Sequence, residues 1–174
     1  TRSLGLVVRD MASANFALIC AAAEAAAEAR GFQLFVCNTN RDTARERRYI
    51  AALLERRVDG LILFAADERV SNLDLLGEAG PPAVLVETDF LPGGFDRISS
   101  DGERAAMEAT RYLIGLGHRQ IAFLAWGQAV TVGRSRLNGY LKALGEAGIE
   151  PDLALVRHCG VDARRAGEET QFAL

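Results

Sequence analysis

The stretch LGLVVRDMASANFALICAAAEAAAEARGFQLFV, residues 4–36, decides the fold class. It opens with Leu4-Gly5-Leu6-Val7-Val8, continues through an alanine-rich run to Arg30, and closes with Phe32-Gln33-Leu34-Phe35-Val36. A strand with apolar residues at successive positions has no face for solvent, so it belongs in a sheet covered on both sides. A helix between two such strands is the crossover that lets them run parallel. The unit repeats outward: a second helix ends near Arg57, and Val58-Asp59-Gly60-Leu61-Ile62-Leu63-Phe64 reads as the next strand. The chain is therefore expected to be α/β, with doubly wound parallel sheets.

The punctuation agrees with that reading. Gly31, Gly80, Gly117 and Gly148 each sit just past a helical pattern, where a left-handed C-cap favours a residue without Cβ. Thr43-Ala44-Arg45-Glu46 has the form of a capping box. In the helix it would open, Tyr49, Ile50, Leu53 and Leu54 share one face, leaving Arg45, Arg48, Glu55 and Arg56 to solvent or the flanks. Glu46 and Glu55 interleave with the arginines, which marks a solvated face and not a nucleic-acid stripe.

A third helix is expected before Pro81-Pro82, which open a short strand from Ala83 to Val86, and Pro92-Gly93-Gly94 marks a loop before Arg97-Ile98-Ser99. The boundary between two subdomains is expected near Ser100, giving 1–100 and 101–174. The second begins with a helix from Asp101 to Leu116, a strand from Gln120 to Ala125 and a helix from Arg134 to Ala147. A strand around Leu155 to Arg157 and a helix start near Ala163 follow. One or two strands do not allow a doubly wound sheet to bury both faces, so this second subdomain is expected to be incomplete in these residues.

Composition narrows the function. With 174 residues, 49% hydrophobic and 25% charged, the chain can bury a core, which excludes disordered and coiled-coil classes. Aromatics are only 7%, so helices approach the sheet on small side chains. The net charge of -3 supplies no basic footprint for phosphates, and direct nucleic-acid contact by these residues is not expected. The longest apolar run, Phe16 to Ala29, is interrupted by Glu24 and Glu28 and is not a membrane span. Thr1-Arg2-Ser3-Leu4 leads directly into a strand without the features of an export signal, so a cytoplasmic protein is expected. The three cysteines Cys20, Cys37 and Cys159 lack paired spacing and read as core filling.

Five segments, by their order and separation, resemble the LacI/GalR family of transcription regulators. They are Leu4 to Phe16, Cys37-Asn38-Thr39-Asn40 with its following helix, Arg57-Val58-Asp59-Gly60-Leu61-Ile62-Leu63, Leu116-Gly117-His118-Arg119-Gln120-Ile121-Ala122-Phe123-Leu124, and Arg136-Leu137-Asn138-Gly139-Tyr140. The resemblance implies a sensor core of two subdomains similar to periplasmic sugar-binding proteins, a homodimer, a small-molecule effector and no cofactor. It also implies operator DNA as a partner, through an N-terminal helix-turn-helix head that is not among these residues.

Ligands of such folds bind beyond the carboxyl ends of the strands. The family places effector contacts in the loop Asp10 to Phe16, where Asn15 would hydrogen-bond a polar ligand and Phe16 would stack on it. In the other reading of that loop, Ser13 caps the helix and Phe16 plugs the sheet edge. Glu87 stands at a position often acidic in the family, and its carboxylate suits vicinal hydroxyls. Asp101 is either a second such carboxylate or the N-cap of its helix. Arg136 matches the arginine that reaches the ligand from the second subdomain, where a guanidinium fork holds hydroxyls or a carboxylate.

The sequence departs from the family pattern at Val130 and Val132, usually polar, and at Trp126, usually small. Trp126 is read as a stacking plate or as a lid over core. Arg9 replaces a common proline and puts the shape of the first loop in question. His118 lies in a Gly-His-Arg turn and reads as structural. With His158 the one other histidine and no ligand spacing, neither a metal site nor a catalytic triad is supported. The alternative within the fold is a periplasmic sugar-binding protein of a transporter. An enzyme is not expected, since GxGxxG, GxxxxGK[ST] and nucleophile-elbow motifs are missing.

Overall fold

The computed structural model describes residues 1–67, 70, 72–77, 80–88, 94–125 and 131–159, with the backbone alone at 131 and 132. They fall into two compact units, Thr1–Ser99 and Ser100–Leu174. In the first unit the order is β1 (Ser3–Val8), α1 (Ala14–Glu28), β2 (Gln33–Asn38), α2 (Thr43–Glu55), β3 (Gly60–Leu63), a 3-10 turn (Leu73–Leu76), β4 (Ala83–Val86) and β5 (Asp96–Ile98). The strands form one sheet in the order β2-β1-β3-β4-β5, and every pairing is parallel.

Alternation along the strands divides the core into two layers. Leu6 and Val8 of β1 join Phe16 and Cys20 of α1 and Phe64 on one face, with Ile62 and Val86 packed against them. Val7 joins Leu61, Leu63 and Leu85 on the other face, covered by Ile50 and Leu53 of α2 and by Leu73 and Leu76 of the 3-10 turn. In α2, Ile50 and Leu53 are buried and Arg48, Glu55 and Arg56 are exposed, as the helical spacing requires. Between β3 and β4 the described residues hold the short 3-10 turn where a third helix was expected.

The second unit contains α3 (Gly102–Gly115), β6 (Phe123–Ala125), α4 (Thr131–Glu146), a 3-10 turn (Leu153–Leu155) and β7 (Val156–His158). β6 and β7 pair in parallel. Ile121, Tyr140 and Leu144 are buried at its centre, with Phe123, Leu137 and Val156 against them. The Tyr140 hydroxyl, buried with its ring, donates to the Ile121 carbonyl at 2.9 Å. On the surface, Arg111 of α3 grips both carboxylate oxygens of Glu146 of α4 at 2.8 Å each. The helix start expected near Ala163 lies outside the described residues.

Three of the four expected glycine stops take the left-handed conformation: Gly31 (φ 73°), Gly117 (φ 96°) and Gly148 (φ 65°). Gly80 does not. The left-handed glycine there is Gly77 (φ 51°), directly after the 3-10 turn, because the element before it ends earlier than a full helix would. Gly80 is instead demanded by space, since a Cβ at that position would lie 1.8 Å from the Leu76 carbonyl oxygen.

Close approach also explains Gly139. A Cβ there would lie 2.0 Å from the Glu103 carbonyl oxygen and 3.0 Å from the Met107 nitrogen, so α3 and α4 meet backbone to backbone. Gly145, on the same helix, has nothing within 4 Å of such a Cβ. Gly139→Ala is therefore expected to destabilise the second unit by roughly 1–3 kcal/mol through forced separation of the helices. Gly145→Ala is expected to be neutral or stabilising by up to about 1 kcal/mol. Denaturant unfolding of the two variants checks the contrast.

Candidate functional site

Strand order 2-1-3-4-5 reverses direction between β1 and β3, because the chain leaves β1 toward β2 on one side and leaves β3 toward β4 on the other. At such a switch point the two departing loops separate, and their backbone groups and side chains face a crevice beyond the carboxyl ends. The residues there are Arg9 to Ser13 after β1 and Phe64 to Asp67 after β3. Thr39 after β2 and Glu87 and Thr88 after β4 flank them.

In the first loop, Asp10 folds its carboxylate back to accept from the Ala12 N–H at 3.0 Å, and its other oxygen lies 3.8 Å from an Arg41 guanidinium nitrogen. Ser13 occupies the N-cap position of α1 but its hydroxyl makes no capping hydrogen bond. Asn15, in the first turn, is exposed. Phe16 is buried in edge-to-face contact with Phe64, the ring centroids 5.1 Å apart. Of the two sequence readings, the ring is thus placed in the core and the amide in solvent.

Glu87, partly buried, follows β4 with a φ of 52°. The left-handed region costs a branched or long side chain about 1–3 kcal/mol and persists where neighbours fix it. Here its N–H donates to the Ile98 carbonyl at 2.9 Å, and its carbonyl accepts from Arg9 Nη2 at 3.3 Å. Arg9 is the residue that replaces the family's usual proline. Its side chain is buried, passes 5.9 Å from the centre of the Phe16 ring, and joins the ends of β1 and β4.

Sequence reasoning missed a second buried polar group. The capping box expected at Thr43 does not form. Asp42 is the N-cap, its Oδ1 accepting from Ala44 N at 2.8 Å and Arg45 N at 3.0 Å. These backbone bonds, the larger from Arg45, hold the Asp42 carboxyl below its ordinary value. Glu46, released from capping, turns inward and is 1% exposed. It accepts from the Ala66 N–H and from Asn72 Nδ2, the latter at 2.8 Å. The available signal was Asp42 itself, a stronger N-cap than the threonine after it.

In the second unit, Arg136 lines a hollow of about 300 Å³ with Phe123, Leu124, Gly133 and Cys159, at the carboxyl end of the β6–β7 pair. Asp101 is the N-cap of α3 and accepts from Arg104 N at 2.9 Å. His118 belongs to the turn ending α3, its N–H donating to the Leu113 carbonyl at 3.2 Å. Trp126 and Val130 lie outside the described residues, as does the Val132 side chain. The structure thus brings Asp10, Asn15, Phe16 and Glu87 to one end of the first sheet and Arg136 to the corresponding end of the second.

A parallel doubly wound unit with its polar loops at a β1/β3 switch point defines a class, the type I periplasmic-binding-protein-like fold. The chain belongs to the LacI/GalR family: the model of periplasmic binding proteins and the sugar-binding domain of the LacI family matches residues 1–170. Among curated relatives it is similar to the HTH-type transcriptional repressor PurR of Pasteurella multocida, 33% identical over 156 residues, covering 87% of this chain and 46% of that protein. It is also similar to the HTH-type transcriptional regulator DegA of Bacillus subtilis, 29% identical, covering 90% and 47%. The chain thus spans under half the length of these relatives.

Among solved structures, a transcriptional regulator CelR–cellobiose complex matches with a TM-score of 0.85 at 28% identity, covering 100% of this chain and 55% of that one. A putative ribose operon repressor from Burkholderia thailandensis matches with a TM-score of 0.87 at 27% identity, covering 99% and 73%. Among the described residues, no helix is long and apolar enough to cross a membrane.

The contrast between neighbours in the first loop is measurable. Phe16→Ala removes a buried ring from a core contact and is expected to cost about 3–5 kcal/mol. Asn15→Ala, at an exposed position, is expected to change stability by no more than about 0.5 kcal/mol. Thermal unfolding of both variants distinguishes the residue that builds the loop from the one available to a ligand.

Proposed function

We propose that these residues are the ligand-sensing and dimerisation core of a cytoplasmic LacI-type regulator. In this reading they bind a small polar metabolite, a sugar or a related compound, and binding alters the operator affinity of a DNA-binding head carried elsewhere in the protein. The observation that carries the reading is the switch-point arrangement, with Asp10, exposed Asn15 and the strained Glu87 at the carboxyl ends of one parallel sheet. The names of the curated relatives, repressors and regulators, support a sensor over a transport protein and over an enzyme.

The roles follow from the chemistry of each group. Glu87 and Asp10 accept from ligand hydroxyls, Asn15 both donates and accepts, and Phe16 sets the loop from below. Arg136 offers its planar fork to hydroxyls or a carboxylate. Asp101 contributes a second carboxylate oxygen, the first being committed to its helix. The effector acts through its differential affinity for two states of the regulator. A second copy of the chain would pack on the outer edge of the first sheet, where Phe35 and Val36 of the edge strand β2 are each 39% exposed. An open strand edge with apolar side chains is a surface that proteins cover.

Calorimetric titration with a panel of mono- and disaccharides, sugar phosphates and purine bases tests the reading, and at least one compound is expected to bind. Glu87→Gly relieves the left-handed strain, so it is expected to hold or raise stability by up to about 1 kcal/mol while weakening that compound. Arg136→Ala is expected to weaken it roughly ten- to hundredfold, and in the full-length protein to leave operator binding in place. Binding unchanged in both variants would remove the site assignment, and a full-length protein that sediments as a monomer would remove the dimer.

A further inference from the structure

Glu46 is a buried carboxylate that the effector reading leaves without a role. It sits in the first turn of α2, yet both of its oxygens are held by residues outside that helix. Oε2 accepts from the backbone N–H of Ala66, three residues beyond the last residue of β3. Oε1 accepts from Asn72 Nδ2, which also donates to the Thr43 carbonyl at 2.9 Å. Ala66 and Asn72 are themselves buried. The carboxylate therefore ties the first residues after β3, at the switch point, to the start of α2.

Among the described residues, the charges of Arg9 and Asp67 act on it. Burial pushes the Glu46 carboxyl above its ordinary value, and the donors Asn72 and Ala66 and the positive charge of Arg9 pull it back, while Asp67 pushes it further up. Asp74 on the 3-10 turn is occupied on the solvent side by Arg47 at 3.0 Å, and Asp42 on the same helix is occupied by backbone amides.

We propose that Glu46 is a positioning residue which, in its ionised form, clamps the residues beyond β3 to α2 and so sets the shape of the sheet's carboxyl end at the switch point. An ionised carboxylate accepts at both oxygens. A protonated one carries an O–H that faces N–H groups instead of acceptors, so one of the two bonds is lost. The clamp thus opens on protonation. Stability moves the other way: with its carboxyl raised, the folded chain takes up this proton more readily than the unfolded chain. Falling pH therefore favours the fold through Glu46, from the raised value down to the ordinary one, while loosening the clamp. The consequence for effector affinity rests on the proposed function, but the clamp itself does not.

Amide hydrogen exchange of the whole chain between pH 4 and 7, corrected for intrinsic rates, needs no ligand. The Ala66 amide is expected to lose about tenfold or more of its protection as pH falls, with a midpoint above the ordinary glutamate value of about 4.3. Leu6 and Val7 in β1 are expected to keep theirs. Glu46→Gln, which keeps the shape and removes the charge, is expected to show the low-pH protection at every pH. A pH-independent Ala66 amide, or a Glu46→Gln profile matching the native one, overturns the proposal. So does parallel loss at Leu6 and Ala66, since the unit would then open as a whole. Should Glu46→Gln fail to fold, Asn72→Ala decides: losing a donor that favours the ionised form is expected to raise the Ala66 midpoint, and an unmoved midpoint overturns the clamp.

Discussion

Strands β1, β3 and β4 have apolar side chains on both faces, and a sheet built from them must be covered on both sides. That constraint organises the first unit. Parallel pairing forces a crossover after each strand, and the crossovers carry Phe16 and Cys20 to one layer and Ile50 and Leu53 to the other. It also forces the departing loops to gather at the carboxyl ends, where they diverge between β1 and β3. The crevice there is a consequence of strand order before it is a consequence of any side chain.

Backbone polar groups at such an end need partners, and the molecule supplies them from buried charges. Arg9 reaches the Glu87 carbonyl and Glu46 reaches the Ala66 amide, so each binds a loop delivered by a different element of the chain, β4 in one case and β3 in the other. Burying these groups is unfavourable unless they are hydrogen-bonded, and the bonds they make fix the loops against which a ligand would rest. Rigid loops lower the ordering cost of binding, which is the general advantage of a preformed site.

Much of this was legible in the sequence. The apolar runs at Leu4, Phe32, Val58 and Ala83 and the stops at Gly31, Gly117 and Gly148 carry local physics, namely period, length and left-handed backbone, and they placed the elements within a few residues. The element before Gly80 was read as a full helix because apolar spacing there does not separate a helix from a 3-10 turn. Glu46 was misread for a related reason. Its spacing from Thr43 satisfies a local capping pattern, while its true partners, Ala66 and Asn72, are 20 and 26 residues away and invisible to any window. Phe16 shows the same limit, since the loop position was readable but its contact with Phe64 was not. Arg9 was visible as an unusual residue, and only the fold shows that it joins β1 to β4.

The central claim is that ligand binding belongs to the carboxyl ends of the sheets and not to their amino ends. The amino ends of β3 and β4 offer a competing hollow of about 790 Å³, lined by residues that include Leu54, Val58, Asp59 and Pro81. Amide exchange of the chain with a bound saccharide or other binding compound separates the two directly. The account predicts slowed exchange over residues 9–16, 64–67 and 87–88. Slowing confined to the residues around Asp59 and Gly77 would contradict it.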